Sequence, residues 1–143
     1  MPFQTNPDLY IQEETERISK YYDTNKLKLA GFEGRDNFIN WYLHELSFNE
    51  CRCHYCNTNI LHIRQLLNAG LINGRSVRGT GLRGPNFELD RKDPEAGYNE
   101  RNCVLSCYYC NNDKSNTFSY ETYLNIIGPA KGAAWNTLLN NIH

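Results

Sequence analysis

The stretch of sequence that decides the fold spans residues 87–116 and reads FELDRKDPEAGYNERNCVLSCYYCNNDKSN. Within it, residues 87–91 and 102–107 read as two short strands, and a polar turn that contains a proline and a glycine separates them. We therefore predict a β-hairpin in this stretch. A helix is predicted to follow the hairpin and to begin just after Cys110.

Two C-x-x-C pairs bracket this hairpin. Cys53 and Cys56 form the first pair, and Cys107 and Cys110 form the second pair, about fifty residues later. Each pair is short enough to present two sulfur atoms to one tetrahedral ion. A thioredoxin-like redox site needs only one such pair and normally lies in a βαβ pattern, which this sequence lacks. The spacing therefore predicts one structural zinc ion bound by four thiolates.

The chain contains six cysteines, so two of them remain outside these pairs. Free cysteine packs well in protein interiors, and we interpret Cys51 and Cys103 as packed thiols. Two alternatives stay open at this point. Cys51 could form a C-x-C ligand set with Cys53, and His54 offers an imidazole nearby.

Length and composition indicate a folded, water-soluble chain. The 143 residues are 40% hydrophobic and 22% charged, and the net charge is −1. No apolar run approaches the roughly 20 residues that cross a bilayer, and the N-terminus lacks the features of a signal peptide. We expect a cytoplasmic protein with no membrane partner, in which disulfides are rare. Any basic surface for nucleic acid must be local, because the chain as a whole is nearly neutral.

Helical patterns surround the predicted hairpin. Pro7 follows Asn6 as a proline does in the first turn of a helix, and Asn57 with Thr58 could cap a later helix. The other predicted helices are residues 37–46, 60–68, 119–127 and 133–142, with the last two separated at Gly128 and Pro129. We expect a single compact domain in which a helical segment, residues 1–50, packs on a core of residues 51–143.

Residues 74–85 combine glycine with arginine. Several glycines in this segment let the backbone approach a ligand closely, and Arg75, Arg78 and Arg83 supply positive charge. We interpret the segment as an ordered loop at most. Charged loop residues are commonly only solvated, so contact between this loop and DNA is one of two open interpretations.

The order of residues in the decisive stretch resembles the HNH, or ββα-metal, endonuclease family. The signature of that family places an acidic residue on the first strand, an asparagine ahead of the second strand and a ligand directly after a C-x-x-C. In this chain those places are held by Asp90, Asn102 and Asn111, and the resemblance covers residues 51–118. It implies an α+β fold, with a ββα-metal core and a four-cysteine zinc site surrounded by helices.

One position departs from the family pattern. The family usually places a histidine that activates water directly after the strand aspartate, and this chain has Arg91 there. The combination of residues is most similar to the subgroup that contains the restriction endonuclease PacI, in which tyrosine is thought to replace histidine. Tyr98 occupies the corresponding position. The reference pKa of tyrosine is about 10, so a base role requires help from a nearby cation and from Arg91.

The remaining roles follow from the chemistry of phosphodiester hydrolysis. Asp90 and Asn111 offer a carboxylate and an amide oxygen, which suit a hard catalytic cation such as Mg²⁺ or Mn²⁺. Arg91 would clamp a phosphate oxygen, and Asn102 would bond across the loop to orient the base. Lys114 joins the three loop arginines as a predicted phosphate contact. Each residue also has a plainer role: Asp90 could pair with a neighbouring cation, Tyr98 could fill the hairpin, and Asn111 could cap the helix.

The resulting hypothesis is a metal-dependent DNA endonuclease, restriction-like and homodimeric so that two sites cut two strands. A homing or phage-type HNH nuclease would present the same motifs. Two hypotheses from other classes stay open, namely a zinc-containing nucleic-acid-binding module without catalysis and a zinc domain that binds other proteins. Nucleoside triphosphate binding is not supported, because no Walker-type G-K-[ST] motif occurs.

Overall fold

Helix α1, Pro7–Thr24, opens the chain and packs against α2, Arg35–Phe48. The computed structural model describes residues 2–79 and 81–143. The Asn6 side chain accepts hydrogen bonds from the backbone N–H groups of Asp8 and Leu9 at 3.0 and 3.1 Å, so the predicted helix start is confirmed. Helix α2 extends two residues beyond its predicted range at each end. The two helices enclose an aromatic cluster formed by Tyr22, Phe32, Phe38, Trp41 and Tyr42.

Helix α3, Ile60–Asn68, has the predicted bounds but a different cap. The Asn59 side chain accepts a hydrogen bond from the Leu61 N–H at 2.8 Å, so the cap is Asn59 rather than the predicted Asn57 and Thr58. Arg64 on this helix donates to the Pro85 carbonyl at 2.8 Å and to the Gln4 carbonyl at 3.0 Å. This buried arginine therefore ties the start of the chain to the segment that leads into the central hairpin.

The prediction of a loop over residues 74–85 is wrong. Strands β1, Arg75–Val77, and β2, Gly81–Arg83, pair antiparallel as a small hairpin. Gly79 and Gly81 have φ values of 86° and 85°, which other residues rarely adopt. The glycines that suggested a loop thus lie at the turn that joins the two strands.

The central hairpin consists of β3, Phe87–Arg91, and β4, Cys103–Cys107, with Asp90 opposite Val104. The prediction for β3 is confirmed, and β4 begins one residue later than predicted. Helix α4, Tyr108–Lys114, follows β4 without a linker, so its predicted start after Cys110 is wrong. The Cys107 sulfur accepts a hydrogen bond from the Cys110 N–H at 3.4 Å and caps this helix. Two strands followed by a helix make this an α+β arrangement, and Cys107 and Cys110 lie where the second strand meets the helix.

The C-terminal segment is helical throughout, contrary to the predicted separation at Gly128 and Pro129. Helix α5, Tyr120–Thr122, continues through a π-helical turn, Tyr123–Ile127, into α6, Gly128–Asn140. Pro129 lies in the first turn of α6, directly after the π-helical turn. No helix in the described ranges is long and apolar enough to cross a membrane.

Helix α6 packs directly on the first cysteine pair. A β-carbon added to Gly128 would lie 2.4 Å from the Tyr55 carbonyl oxygen, and one added to Gly132 would lie 2.4 Å from the Cys56 carbonyl oxygen. Only glycine permits these approaches, because no side-chain carbon fits in the space. The C-terminal helix therefore fixes the position of residues 53–56 against the central hairpin.

Candidate active site and metal centre

The four paired cysteines converge, as the sequence predicts. The Sγ atoms of Cys53, Cys56, Cys107 and Cys110 all lie within 4.8 Å of one another, and all four residues are buried. Tetrahedral zinc with Zn–S bonds of about 2.3 Å places its sulfurs roughly 3.8 Å apart. The Sγ atoms of Cys56 and Cys107 are 4.0 Å apart. The cluster therefore fits a metal ion such as zinc.

Backbone N–H groups point at the sulfur atoms of this cluster. The Cys53 sulfur accepts from the N–H of Tyr55 at 3.4 Å and from the N–H of Cys107 at 3.3 Å. Such donors favour the thiolate form, which is the form that binds a metal.

The alternative ligands lie outside this cluster among the described residues. His54 Nε2 is hydrogen-bonded to the Tyr120 hydroxyl at 2.8 Å, and the two rings stack. Cys103 is buried, and burial raises the pKa of its thiol to about 11. Cys51 is half-buried. The four-cysteine set is thus the one that the geometry brings together.

A polar cavity of about 310 Å³ lies beside the central hairpin and α4. Six of the residues predicted from the sequence line it: Arg83, Asp90, Arg91, Tyr98, Asn111 and Lys114. Asp90 is on β3, Asn111 and Lys114 are on α4, and Tyr98 is in the turn between the strands. Residues from two separate elements and the connecting turn therefore meet at one site.

Asp90 has two buried partners in this cavity. Its carboxylate is only 7% exposed and accepts a hydrogen bond from the Tyr55 hydroxyl. The ammonium of Lys114 lies 3.3 Å from Oδ2 of the same carboxylate. Tyr55 was missed from the sequence, although its place between two predicted zinc ligands was a usable signal. Lys114 was predicted to contact DNA, whereas its side chain is 4% exposed and paired inside the protein.

Asn111 belongs to a second group of side chains that are connected by hydrogen bonds beside the cavity. Its Nδ2 donates to Glu88 Oε1 at 2.9 Å, and Arg83 binds the same carboxylate through two bonds of 2.8 and 2.6 Å. Because Nδ2 of Asn111 donates to Glu88, the amide oxygen Oδ1 is the atom of this side chain that could bind a cation. Glu88 was missed, although its side chain lies two residues before Asp90 and hence on the same face of the strand.

Tyr98 faces two cations. The guanidinium of Arg91 is 4.7 Å from the centre of its ring, and the ammonium of Lys28 is 4.6 Å from that centre. Arg91 also donates to the Pro94 carbonyl at 2.9 Å. The aromatic face of Tyr98 is thereby fixed at the edge of the cavity by cation–π contacts.

Asn102 bonds across the turn of the hairpin. Its Oδ1 accepts from the Asp93 N–H at 3.0 Å, and its Nδ2 donates to the carbonyls of Asp93 at 2.9 Å and Gly97 at 2.7 Å. The side chain is buried and does not line the cavity. Asn102 therefore fixes the shape of the turn that carries Tyr98.

The four predicted DNA-contacting residues fall into two groups. Arg75 and Arg78 are exposed on the β1–β2 hairpin. Arg83 and Lys114 line the cavity and hold ion pairs with Glu88 and Asp90. Only the first pair therefore lies on an open surface, and the second pair faces the candidate site.

In this chain a β-hairpin is followed directly by a helix, and four cysteines join both elements to a preceding turn. This arrangement indicates the class of protein. The chain is related to the HNH, or ββα-metal, endonucleases. The chain is similar to a solved structure of PacI, a rare-cutting HNH restriction endonuclease that exhibits an extraordinary mechanism of DNA perturbation. The TM-score is 0.61 and the sequence identity is 28%. The match covers 87% of this chain and 78% of that chain. No protein-family model matches this chain, and no curated protein sequence matches it.

Proposed function

We propose that this protein is a metal-dependent DNA endonuclease that hydrolyses phosphodiester bonds. The observation that carries the proposal is the buried carboxylate of Asp90, which shares one polar cavity with Asn111, Arg91 and Tyr98. The likeness to the HNH restriction endonuclease PacI supports the same class of reaction. DNA is accordingly the proposed substrate.

Asp90 and Asn111 are the residues that would hold the catalytic cation. A carboxylate and an amide oxygen suit a hard ion such as Mg²⁺ or Mn²⁺. When bound, such an ion supplies electrostatic stabilisation of the phosphate and of the leaving 3′ oxygen. Arg91 would add a second positive charge that clamps a phosphate oxygen.

Two phenols can serve as the base that activates water. Tyr98 is the residue that the family resemblance indicates, and it lies between Arg91 and Lys28. Tyr55 is the residue whose hydroxyl contacts Asp90. A general base must reach the proton that it removes, and we therefore favour Tyr98, which lines the cavity, over the buried Tyr55, whose hydroxyl already donates to Asp90.

The pKa of the Tyr55 phenol bears on this choice. Burial and the hydrogen bond to Asp90 raise it above its ordinary value. Positive charge held by Asp90 would oppose both effects, because a nearby cation favours the phenolate. The base role of Tyr55 therefore requires the proposed cation, whereas Tyr98 already has two cations beside its ring.

The remaining residues receive supporting roles. Asn102 would position the turn that carries Tyr98, and the exposed Arg75 and Arg78 would contact the DNA backbone. The four-cysteine cluster would bind one structural zinc ion that holds residues 53–56 against β4 and α4. We further propose a homodimer with restriction-like specificity, since two copies of a single site can cut both strands of a duplex.

Cleavage of supercoiled plasmid DNA tests the proposal. We expect nicked and linear products with Mg²⁺ or Mn²⁺ and none with EDTA, and we expect Asp90→Asn to reduce the rate at least about a hundredfold. The control is Asp23→Asn, which removes an exposed carboxylate that pairs with Arg35. DNA binding without cleavage under all metal conditions would instead identify a nucleic-acid-binding module.

A further inference from the structure

Lys114 is a buried cation that the proposed reaction does not use. Its side chain is 4% exposed, and its ammonium lies 3.3 Å from Asp90 Oδ2. The same ammonium is 3.4 Å from the carbonyl oxygen of Arg91 and 6.0 Å from the centre of the Tyr55 ring. Asp90, Tyr55 and Lys114 therefore lie in contact with one another, and the positive charge of Lys114 balances the negative charge of Asp90.

This arrangement places two cations in competition for one carboxylate. Asp90 is the only carboxylate among the predicted catalytic residues, and its Oδ2 already receives both the Tyr55 hydroxyl and the Lys114 ammonium. A divalent cation at that oxygen would lie within a few ångströms of the ammonium, where like charges repel strongly in a buried site. Each cation therefore weakens the contact of the other with Asp90.

We propose that Lys114 is the resident counter-ion of Asp90 and that its ammonium leaves the carboxylate when a divalent cation binds. This inference rests on the proposed function, since it concerns the affinity of the same site for its cation. Lys114 balances the charge of the buried carboxylate and holds its orientation in the cation-free protein. It also weakens cation binding, because the ion must replace an existing partner.

A DNA phosphate changes this balance. Lys114 lines the cavity that we assign to the scissile phosphate, so its displaced ammonium can pair with a phosphate oxygen there. The cation and the phosphate then favour each other's binding through Lys114, and the coupling is reciprocal. Cation loading is consequently tied to the presence of DNA.

The test is the affinity of the full-length zinc-loaded protein for Mn²⁺, measured at pH 8 from the electron paramagnetic resonance signal of free Mn²⁺. Lys114→Met should bind Mn²⁺ about tenfold more tightly than the native protein, within the roughly 5–150-fold range of typical coupling between sites. Lys114→Gln should change the affinity in the same direction and provides a polar variant that folds if the methionine variant does not. Zinc content and circular dichroism verify the fold of both variants.

The matched control is Lys131→Met, which removes an ammonium 3.5 Å from Asp113 Oδ2, outside the cavity. It should leave the Mn²⁺ affinity unchanged. A Lys114 variant with unchanged or weaker Mn²⁺ binding overturns the inference.

In a second titration, a phosphorothioate DNA duplex should increase the Mn²⁺ affinity of the native protein more than that of Lys114→Met. An equal increase in both proteins overturns the transfer of the ammonium to phosphate.

Asp90→Asn separates failure of this inference from failure of the proposed function. Loss of Mn²⁺ binding in this variant establishes the cation site at Asp90, whatever Lys114 does. If Asp90→Asn binds Mn²⁺ as well as the native protein does, the cation site itself is wrong. If only the Lys114 variants behave like the native protein, the site stands and the counter-ion role falls.

Discussion

The Tyr55 hydroxyl donates a hydrogen bond to Oδ2 of Asp90, so the first cysteine pair is connected to the acidic strand residue by one side chain. Tyr55 lies between Cys53 and Cys56, and its ring also packs edge-on against Tyr123 in the C-terminal helical segment. Its position therefore depends on the cysteine cluster on one side and on helix packing on the other. The cysteine cluster thus orients a residue of the candidate active site in addition to joining elements.

The two candidate bases are distinguished by matched phenylalanine variants. Tyr98→Phe keeps the ring that Arg91 and Lys28 contact but removes the hydroxyl, and it should lower the cleavage rate about 100-fold or more, in the range measured for general bases. Tyr55→Phe removes the buried hydroxyl that contacts Asp90 and should have a smaller effect. DNA affinity should stay within about twofold in both, because neither variant removes a phosphate contact. The reverse order of cleavage rates would assign the base role to Tyr55.

Replacing Asn102 by alanine should destabilise the protein by about 2–3 kcal/mol. The substitution removes three part-buried side-chain hydrogen bonds and leaves backbone groups of Asp93 and Gly97 without their partner. Chemical denaturation with urea measures the loss. Asn37→Ala is the control, since that exposed side chain makes one bond of 3.2 Å and its removal should change stability by no more than about 0.5 kcal/mol. Equal stability of the two variants would contradict the role assigned to Asn102.

The cysteine cluster predicts the metal content of the protein. Elemental analysis should give about one zinc ion per chain, and Cys107→Ser should lose the ion and much of the folded structure, because four-cysteine sites contribute directly to folding. Cys51→Ser should retain both, since Cys51 lies outside the cluster. A stripped protein with an unchanged circular dichroism spectrum and melting temperature would show that the cluster does not stabilise the fold.

Arg75 and Arg78 are expected to contribute salt-dependent DNA affinity. Both are exposed, and each phosphate contact that is removed should lower the slope of log affinity against log salt concentration by roughly one. Fluorescence anisotropy at several salt concentrations measures this slope for Arg75→Ala and Arg78→Ala. Arg35→Ala serves as the control, since Arg35 is partly exposed but already paired with Asp23. Slopes equal to that of the native protein would remove the β1–β2 hairpin from the DNA interface.

Local sequence chemistry predicts a large part of this fold. Asn6 with Pro7 sets the start of α1, the bounds of β3 follow from its residues, and the spacing of the cysteine pairs predicts their convergence. These features depend on residues close in sequence or on ligands of one chemical type. The helix start at Tyr108 and the unbroken passage through Pro129 were not predicted, because the Cys107 sulfur cap and the π-helical turn depend on the packed surroundings.

By itself, the sequence determined which candidate residues stand out: Asp90, Asn111, Tyr98 and the four paired thiols are recognisable whatever the fold. Only the tertiary structure decided their partners. Tyr55 reaches Asp90 across 35 positions of the chain, and Lys114 reaches the same strand across more than 20 positions. Contacts of this kind arise when separate elements pack face to face, so no periodicity or spacing within a segment encodes them. The folded arrangement therefore identifies Lys114 as the cation beside Asp90, where the sequence indicates only another positive charge.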